Sequence, residues 1–322
     1  MENKIKKARV IYNPTSGQEI IKKNIAEVLD VLEDVGYETS AYQTTPEPLS
    51  AQLEAERAAK AGFDLIIAAG GDGTINEVVN GVASLEHRPK MAFIPTGTTN
   101  DYARALKIPI GDPVAAARII EKNQTIQMDI GRAYGSKYFI NIAAAGTLSE
   151  LTFSVPSEVK SRYGYFAYVA EAVKKFPKNK TRKVRIEHDN GVYVGPVSLV
   201  FVALTNSIGG FESVAPDAKL DDGNFTLILV KTAKLFDMLS LIMQAVNGGK
   251  HVKDSNIEYL KTSKLKIEVL DKKEEFKINL DGEYGGDTPV ELEVFHNHLE
   301  FFANIDEIND DALVHSEYKS EE

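Results

Sequence analysis

The chain of 322 residues has no cysteine, which excludes disulfides, cysteine-ligated zinc and thiol nucleophiles. Cytoplasmic residence fits that absence best. Long apolar runs are also missing. Nothing approaches the roughly 18 consecutive apolar residues of a spanning helix, so any membrane contact is expected to be peripheral. The start, "MENKIKKARVIYNP", is basic, but its apolar run is too short for a signal-peptide core and reads as a first strand. Basic residues are the minority, 37 against 47 acidic ones, and the net charge of −10 comes with no basic arm. That balance argues against a dedicated nucleic-acid binder. No internal repeat or low-complexity segment is present.

With 43% hydrophobic residues, the chain can bury a sizeable core, and its length favours two domains over one. The first third alternates short apolar runs with helical patterns: "ARVIYNPTSG", a helix over about 21–35, "YETSAYQTT", a helix over about 49–61, then "FDLIIAAGG". Such alternation predicts a parallel sheet with crossover helices, a doubly wound α/β domain. "DPVAAARIIEKN" predicts a helix capped by Asp112 before Pro113. Beyond Thr125 the runs become short, β-branched and punctuated by glycine or Asn-Gly turns, the texture of an antiparallel β-sandwich. Helical stretches over about 161–176 and 233–247 interrupt it. The expected organisation is an α/β domain over 1–125, a β-rich domain over 126–302, and an acidic segment over 303–322. That last segment is read as a surface helix or tail that returns to the first domain.

The chemistry gathers at loops. In "FDLIIAAGGDGTINEVVNG" a strand-like run ends in Gly70, Gly71, Asp72 and Gly73, and a helical pattern follows at once. Glycine-rich turns at the carboxyl end of a strand let backbone N–H groups approach phosphate oxygens, and the next helix adds its positive end. A carboxylate there would repel phosphate unless a cation stood between them, so Asp72 suggests phosphate with magnesium. Alternatively, the turn is a plain strand-to-helix connection with Asp72 as a cap. "NPTSG" (13–17) and "PTGTTND" (95–101) also follow predicted strands. In a parallel sheet all such loops converge on one edge. None is a Walker loop or a dinucleotide fingerprint, and the protein-kinase motif set is missing.

Together, "GGDGTINEVVNG", "PTGTTNDYAR", "NPTSG", "LDDG" and "LDGEYGG" resemble the soluble bacterial diacylglycerol kinases over essentially the whole chain. That family stands with sphingosine and ceramide kinases and shares its GGDG loop more distantly with NAD kinases and phosphofructokinases. The resemblance implies a lipid kinase that takes ATP as co-substrate and Mg2+ as cofactor, and phosphorylates diacylglycerol at the membrane surface. It implies ATP contacts at Asn13, Pro14, Thr15, Ser16, Gly17, Thr44, Gly70, Gly71, Asp72, Gly73, Thr74, Ile75, Asn76 and Thr98. Asp72 would orient the phosphates through magnesium and water. Asp101 and Asp129 match an aspartate network around the site, with helix or turn capping as the competing reading. In "PDAKLDDGNFTL", Asp222 and carbonyls near Lys219 and Asn224 match a structural magnesium site, an oxygen set suited to a hard cation. Without the family, that loop reads as a solvated turn.

Asp281 and Glu283, in "INLDGEYGG", would share a face if the strand were regular. Alone they read as an Asp-Gly hairpin turn with a solvated glutamate. The resemblance makes them the candidates for the base that accepts the lipid hydroxyl's proton. Which of the two it is stays open, as does the acceptor: diacylglycerol, a sphingoid base or an undecaprenol-like alcohol. A non-catalytic lipid- or nucleotide-binding homologue is the rival from another class. The resemblance also implies a homodimer working at the inner face of the membrane. "SRYGYFAYVAEAVKKFPKNKTRKVR" (161–185) sets aromatics ahead of a basic cluster, and is read either as a membrane-docking element or as core and solvated face.

Overall fold

The computed structural model describes residues 5–146, 181–207, 214–232, 234–246, 248–271 and 276–314. The helical stretch expected over 161–176, and with it most of the segment read as a docking element, lies outside them. Two units result: Met1–Ile130 with Leu220–Asp222 and His296–Glu322, and Gly131–Lys219 with Gly223–Phe295.

In the first unit β1 (Lys6–Tyr12), α1 (Ile20–Asp34), β2 (Tyr37–Gln43), α2 (Ser50–Lys60), β3 (Leu65–Gly70), α3 (Asp72–Val82) and β4 (Lys90–Pro95) alternate. They are followed by α4 (Asp101–Ala105), α5 (Pro113–Arg118) and β5 (Thr125–Ala133). The strands pair in parallel in the order β2-β1-β3-β4. All six residues of β3 are buried, as a central strand covered by helices on both faces requires. Its Ile66 and Ile67 are fully buried, and each contributes about 1.5–3 kcal/mol of transfer free energy. Helix α1 buries Ile21, Val28, Val31 and Leu32, one stripe of a 3.6-residue period. Asp112 caps α5 by accepting from the amides of Val114 and Ala115 at 3.1 and 3.0 Å.

The second unit contains β6 (Lys137–Phe139), β7 (Ile142–Gly146), β8 (Arg182–His188), β9 (Gly191–Val197), β10 (Leu199–Ala203) and β11 (Phe225–Val230). Helix α6 (Leu235–Val246) follows, then β12 (Ile257–Thr262), β13 (Lys264–Val269), β14 (Lys277–Leu280), β15 (Glu283–Asp287) and β16 (Val290–Phe302). One antiparallel sheet runs β12-β11-β10-β7-β14-β15. It faces the antiparallel set β16-β13-β8-β9. Between them Ala143, Val200, Leu227 and Ile278 from one side meet Val184, Ile186, Ile267 and Leu292 from the other, the two inner faces of a sandwich.

Two strands carry the chain from one unit to the other. The first division falls after Ile130, inside β5, and β16 passes from the second unit to the first after Phe295. In the first unit Phe301 of β16 pairs in parallel with Met91 of β4. The acidic segment beyond it returns to the first unit. Among its described residues it forms 3-10 turns at Ile305–Glu307 and Asp310–Ala312, where a helix was one expectation. Ala312 and Leu313 are buried there.

Candidate functional site

Tyr12 pairs with Gln43 and with Ala69, and Gly70 pairs with Pro95, so the loops after β1, β2, β3 and β4 leave one sheet edge together. Each continues the ladder for one residue: Asn13 N–H donates to Ala69 O, Thr44 N–H to Tyr12 O, and Thr96 N–H to Gly70 O, all at 2.8–2.9 Å. This edge brings 13–17, Thr44, 70–76 and 95–101 side by side. After β1, Asn13 Oδ1 accepts from the amide and hydroxyl of Thr15, a local turn that aims the chain toward Ser16. Ser16 meets Thr96 hydroxyl to hydroxyl at 3.0 Å.

Close packing of these loops explains their glycines. Gly17 has φ +55°, and a Cβ there would stand 2.1 Å from Thr96 O. A Cβ on Gly97 would stand 2.6 Å from Gly71 Cα. The loop after β3 and the loop after β4 therefore touch backbone to backbone, which no larger residue permits.

Asp72 opens α3, with Gly71 as the N-cap, and its carboxylate reaches across the sheet edge. Asn100 N–H donates to Asp72 Oδ2 at 2.9 Å. Asn100 is fully buried with φ +49°. Its side chain clamps its own loop, accepting from Gly97 N–H at 3.0 Å and donating to Gly97 O at 2.7 Å. Arg104 Nε donates to Thr99 O at 3.0 Å. The next helix is anchored by an aromatic cluster in which Phe93 lies 5.0 Å from both Tyr102 and Phe301. The loop that holds Asp72 is thus itself pinned to the core. Capping of its own helix does not account for a bond to a loop 28 residues away.

The other expected residues of this unit separate. Thr98 is exposed, while the side chain of Ile75 is fully buried, so only the backbone of Ile75 is placed for a ligand. Asn76 accepts from Asn80 Nδ2. Asp101 is buried at the start of α4. Asp129 is buried, and its carboxylate accepts from Asn297 N–H at 2.8 Å and pairs with His296 Nδ1 at 2.9 Å. Its own amide donates to Leu220 O. Asp129 therefore ties together β5, the last part of β16 and the 220–222 loop.

That loop is held a second time. Leu220 N–H donates to Ala312 O, and Asp221 accepts from Val314 N–H at 2.7 Å. Asp217 accepts from the Tyr259 hydroxyl, and burial, reinforced by that bond, raises the pKa of Tyr259. Asp217 and Asp221 thus have structural partners, and Asp222 is half-buried between Asp221 and Gly223. Among the described residues no group of three or more His, Asp or Glu side chains could hold a metal ion. An ion bound here or at Asp72 would draw on one carboxylate together with carbonyl, phosphate or water oxygens, a set magnesium accepts.

In the second unit Leu280 pairs with Glu283, so Asp281 and Gly282 form a two-residue hairpin loop, and both have positive φ, as a type I′ turn requires. The two carboxylates are therefore not neighbours on one face of a regular strand. Asp281 Oδ2 accepts from Ile140 N–H at 2.8 Å, and Oδ1 accepts from Asn141 and Ile142 N–H at 2.9 Å. Three amide donors favour the charged carboxylate. Glu283 is exposed at the start of β15. Further along this strand region Tyr134 donates to Asp287 O at 2.7 Å, and burial, with Asp287 and Tyr284 nearby, pushes the Tyr134 phenol up to about 12.

Gly97 and Asn100 lie within the motif "PTGTTND", which assigns neither a role of its own, and Asn141 lies outside every motif. Asn141 is buried, accepts from the Thr205 hydroxyl, and accepts Leu204 N–H through its carbonyl. The available signal was one amide in the apolar run "YFINIAAAG", since a polar residue in a buried run needs partners. Gly97→Ala is expected to lower kcat/KM by about 10²-fold and stability by about 1–3 kcal/mol, read by steady-state kinetics and thermal melting. Unchanged activity would show that the two loops separate without consequence.

Comparison with known proteins gives the family. Residues 7–133 match the diacylglycerol kinase catalytic domain, and residues 149–303 match the YegS C-terminal NAD kinase beta sandwich-like domain. The chain is 47% identical over 295 residues to a diacylglycerol kinase of Bacillus subtilis (strain 168), covering 92% of this chain and 95% of that one. It is 44% identical over 308 residues to a diacylglycerol kinase of Staphylococcus aureus (strain Newman), covering 96% of each. A crystal structure of a diacylglycerol kinase from Bacillus anthracis str. Sterne superposes with a TM-score of 0.77 at 28% identity, over 94% of this chain and 99% of that chain. A doubly wound loop cluster with this aspartate, a β-sandwich behind it in sequence, and relatives matched nearly end to end place the chain in the diacylglycerol kinase family.

Proposed function

We propose that the chain transfers the γ-phosphoryl group of ATP to the free hydroxyl of diacylglycerol, giving phosphatidate, with Mg2+ as cofactor. The observation that carries this reading is Asp72, a carboxylate held at the head of α3 by the Asn100 amide among glycine-rich loops. Magnesium bound there would neutralise phosphate charge as it builds in the transition state. Asp72 orients that ion, while the amides of 70–76 and the loops at 13–17, Thr44 and Thr98 hold the phosphates and nucleotide. Asp101 and Asp129 extend the anionic surroundings, and Asp222 with carbonyls at Lys219 and Asn224 holds a second, structural ion. Glu283 takes the hydroxyl proton, and Asp281 fixes the hairpin that presents it. The protein works as a homodimer in the cytoplasm at the inner face of the membrane. No helix among its described residues is long and apolar enough to cross one.

The test offers radiolabelled ATP with diacylglycerol, sphingosine or NAD in detergent micelles, each with and without EDTA. Label is expected in phosphatidate alone, absent with EDTA and restored by excess Mg2+. Dominant transfer to sphingosine or NAD overturns the acceptor assignment. No transfer to any acceptor favours the non-catalytic homologue.

A further inference from the structure

Helix α6 exposes two large apolar side chains on the side where a surface helix is ordinarily polar. Met238 and Leu241 are buried against the sheet among Leu199, Ile228 and Ile257. Yet Phe236 is 83% exposed and Met243 49% exposed. Seven residues apart, the two lie on one helix face, separated by two turns. Exposing a phenyl ring to water forgoes the burial that would otherwise stabilise it, so this face suits an apolar phase outside the fold.

The charge around it points to which phase. Segment 231–254 holds four lysines and two aspartates within a chain of net charge −10. Both aspartates have inward partners: Asp237 accepts from the Thr232 hydroxyl at 3.0 Å, and Asp254 from Gln244 Nε2 at 3.0 Å and Asn256 N–H at 2.9 Å. Lys231 pairs with Glu258 at 3.3 Å. Lys234, just before α6, and Lys250 and Lys253, just beyond it, are exposed. Two exposed apolar side chains between exposed lysines suit a helix lying in the headgroup boundary of an anionic bilayer. A second copy of the chain is a poorer occupant, because a two-fold contact through this face would set these lysines against one another.

We infer that the Phe236–Met243 face of α6 docks the protein on anionic lipid, with the two side chains entering the headgroup boundary and Lys234, Lys250 and Lys253 meeting anionic headgroups. The inference rests on the reading that the acceptor is a bilayer lipid, and it assigns the surface that brings the protein to it.

The chain has no tryptophan, so Phe236→Trp places a single indole on the face. Added phosphatidylglycerol vesicles without diacylglycerol are expected to shift its emission to the blue, with quenching by brominated acyl chains. Neutral phosphatidylcholine vesicles should leave it unchanged. Val194→Trp, at an exposed position on β9, is expected to respond to neither. Phe236→Ser combined with Met243→Ser should lower the fraction sedimenting with phosphatidylglycerol vesicles about tenfold or more. The same variant should keep its rate on a short-chain diacylglycerol in neutral micelles within about twofold. Unshifted Phe236→Trp emission on phosphatidylglycerol vesicles overturns the proposal. So does a blue-shifted indole in vesicle-free buffer together with a halved molar mass of the serine variant in light scattering, which assigns the face to a second copy. A vesicle-induced shift in a protein inactive on every acceptor leaves the docking surface standing and removes the kinase reading instead.

Discussion

Asp72→Asn is expected to lower kcat/KM by about 10³-fold or more, because it removes the charge that orients metal and phosphate in the transition state. The substitution keeps an oxygen that can accept from the Asn100 amide, which now donates to Asp72 Oδ2 at 2.9 Å, so the thermal midpoint should stay close to that of the parent protein. Asp72→Ala should be equally inactive and also less stable, since it leaves the amide of a fully buried residue without this acceptor. Losing a hydrogen bond to a charged group costs about 1.5–3 kcal/mol. Together the two variants separate the uses of one carboxylate. If the asparagine variant retained activity within about tenfold of the parent while the alanine variant was dead, Asp72 would be a loop anchor and the metal would need another ligand.

The elements around that aspartate were legible because they are local. Apolar runs ending at Tyr12, Gly70 and Pro95 mark strands by their own residues, and parallel pairing then brings their ends to one edge. The cap at Asp112 was legible for the same reason, with acceptor, proline and helix contiguous. What holds the loops together is not local. Nothing near Gly97 in sequence reveals that Gly71 Cα lies against it, or that Asn100 takes up a left-handed conformation in which its backbone serves Asp72 while its side chain serves Gly97. The acidic end of the chain, read as a surface helix or a tail, has its contacts far away in sequence for a related reason. Its composition suits an exposed helix, but Leu220, Asp221 and the short turns around Ala312 exchange hydrogen bonds that extend the chain there. A domain boundary near Thr125 follows from the change in texture; that residue begins β5, and the two units divide inside this strand, after Ile130.

Glu283→Gln is the second large effect expected, a loss of about 10²-fold or more in kcat with ATP binding and thermal midpoint unchanged. The reasoning starts from its neighbour. Three amides from 140–142 converge on Asp281, and donors that stabilise a carboxylate anion make it a weaker proton acceptor. The same contacts make Asp281 the tie between its hairpin and β7, whose Ile142 O accepts the Asp281 amide at 2.9 Å. Asp281→Asn would turn an –NH2 toward one or more of those amides. It tolerates the positive φ of 49°, but setting donor against donor is expected to cost about 1–3 kcal/mol of stability, so its activity loss would mix chemistry with distortion. Exposed Glu283 carries no such structural burden, which makes its amide variant the cleaner probe of the base. The pH profile supplies the discriminating readout. Removal of the base should abolish the acidic limb of kcat, whereas removal of a positioning residue lowers kcat at every pH and preserves that limb. If Glu283→Gln kept the parent rate and acidic limb while Asp281→Asn lost both, the base would be Asp281, acting through the lone pairs its three amides leave available.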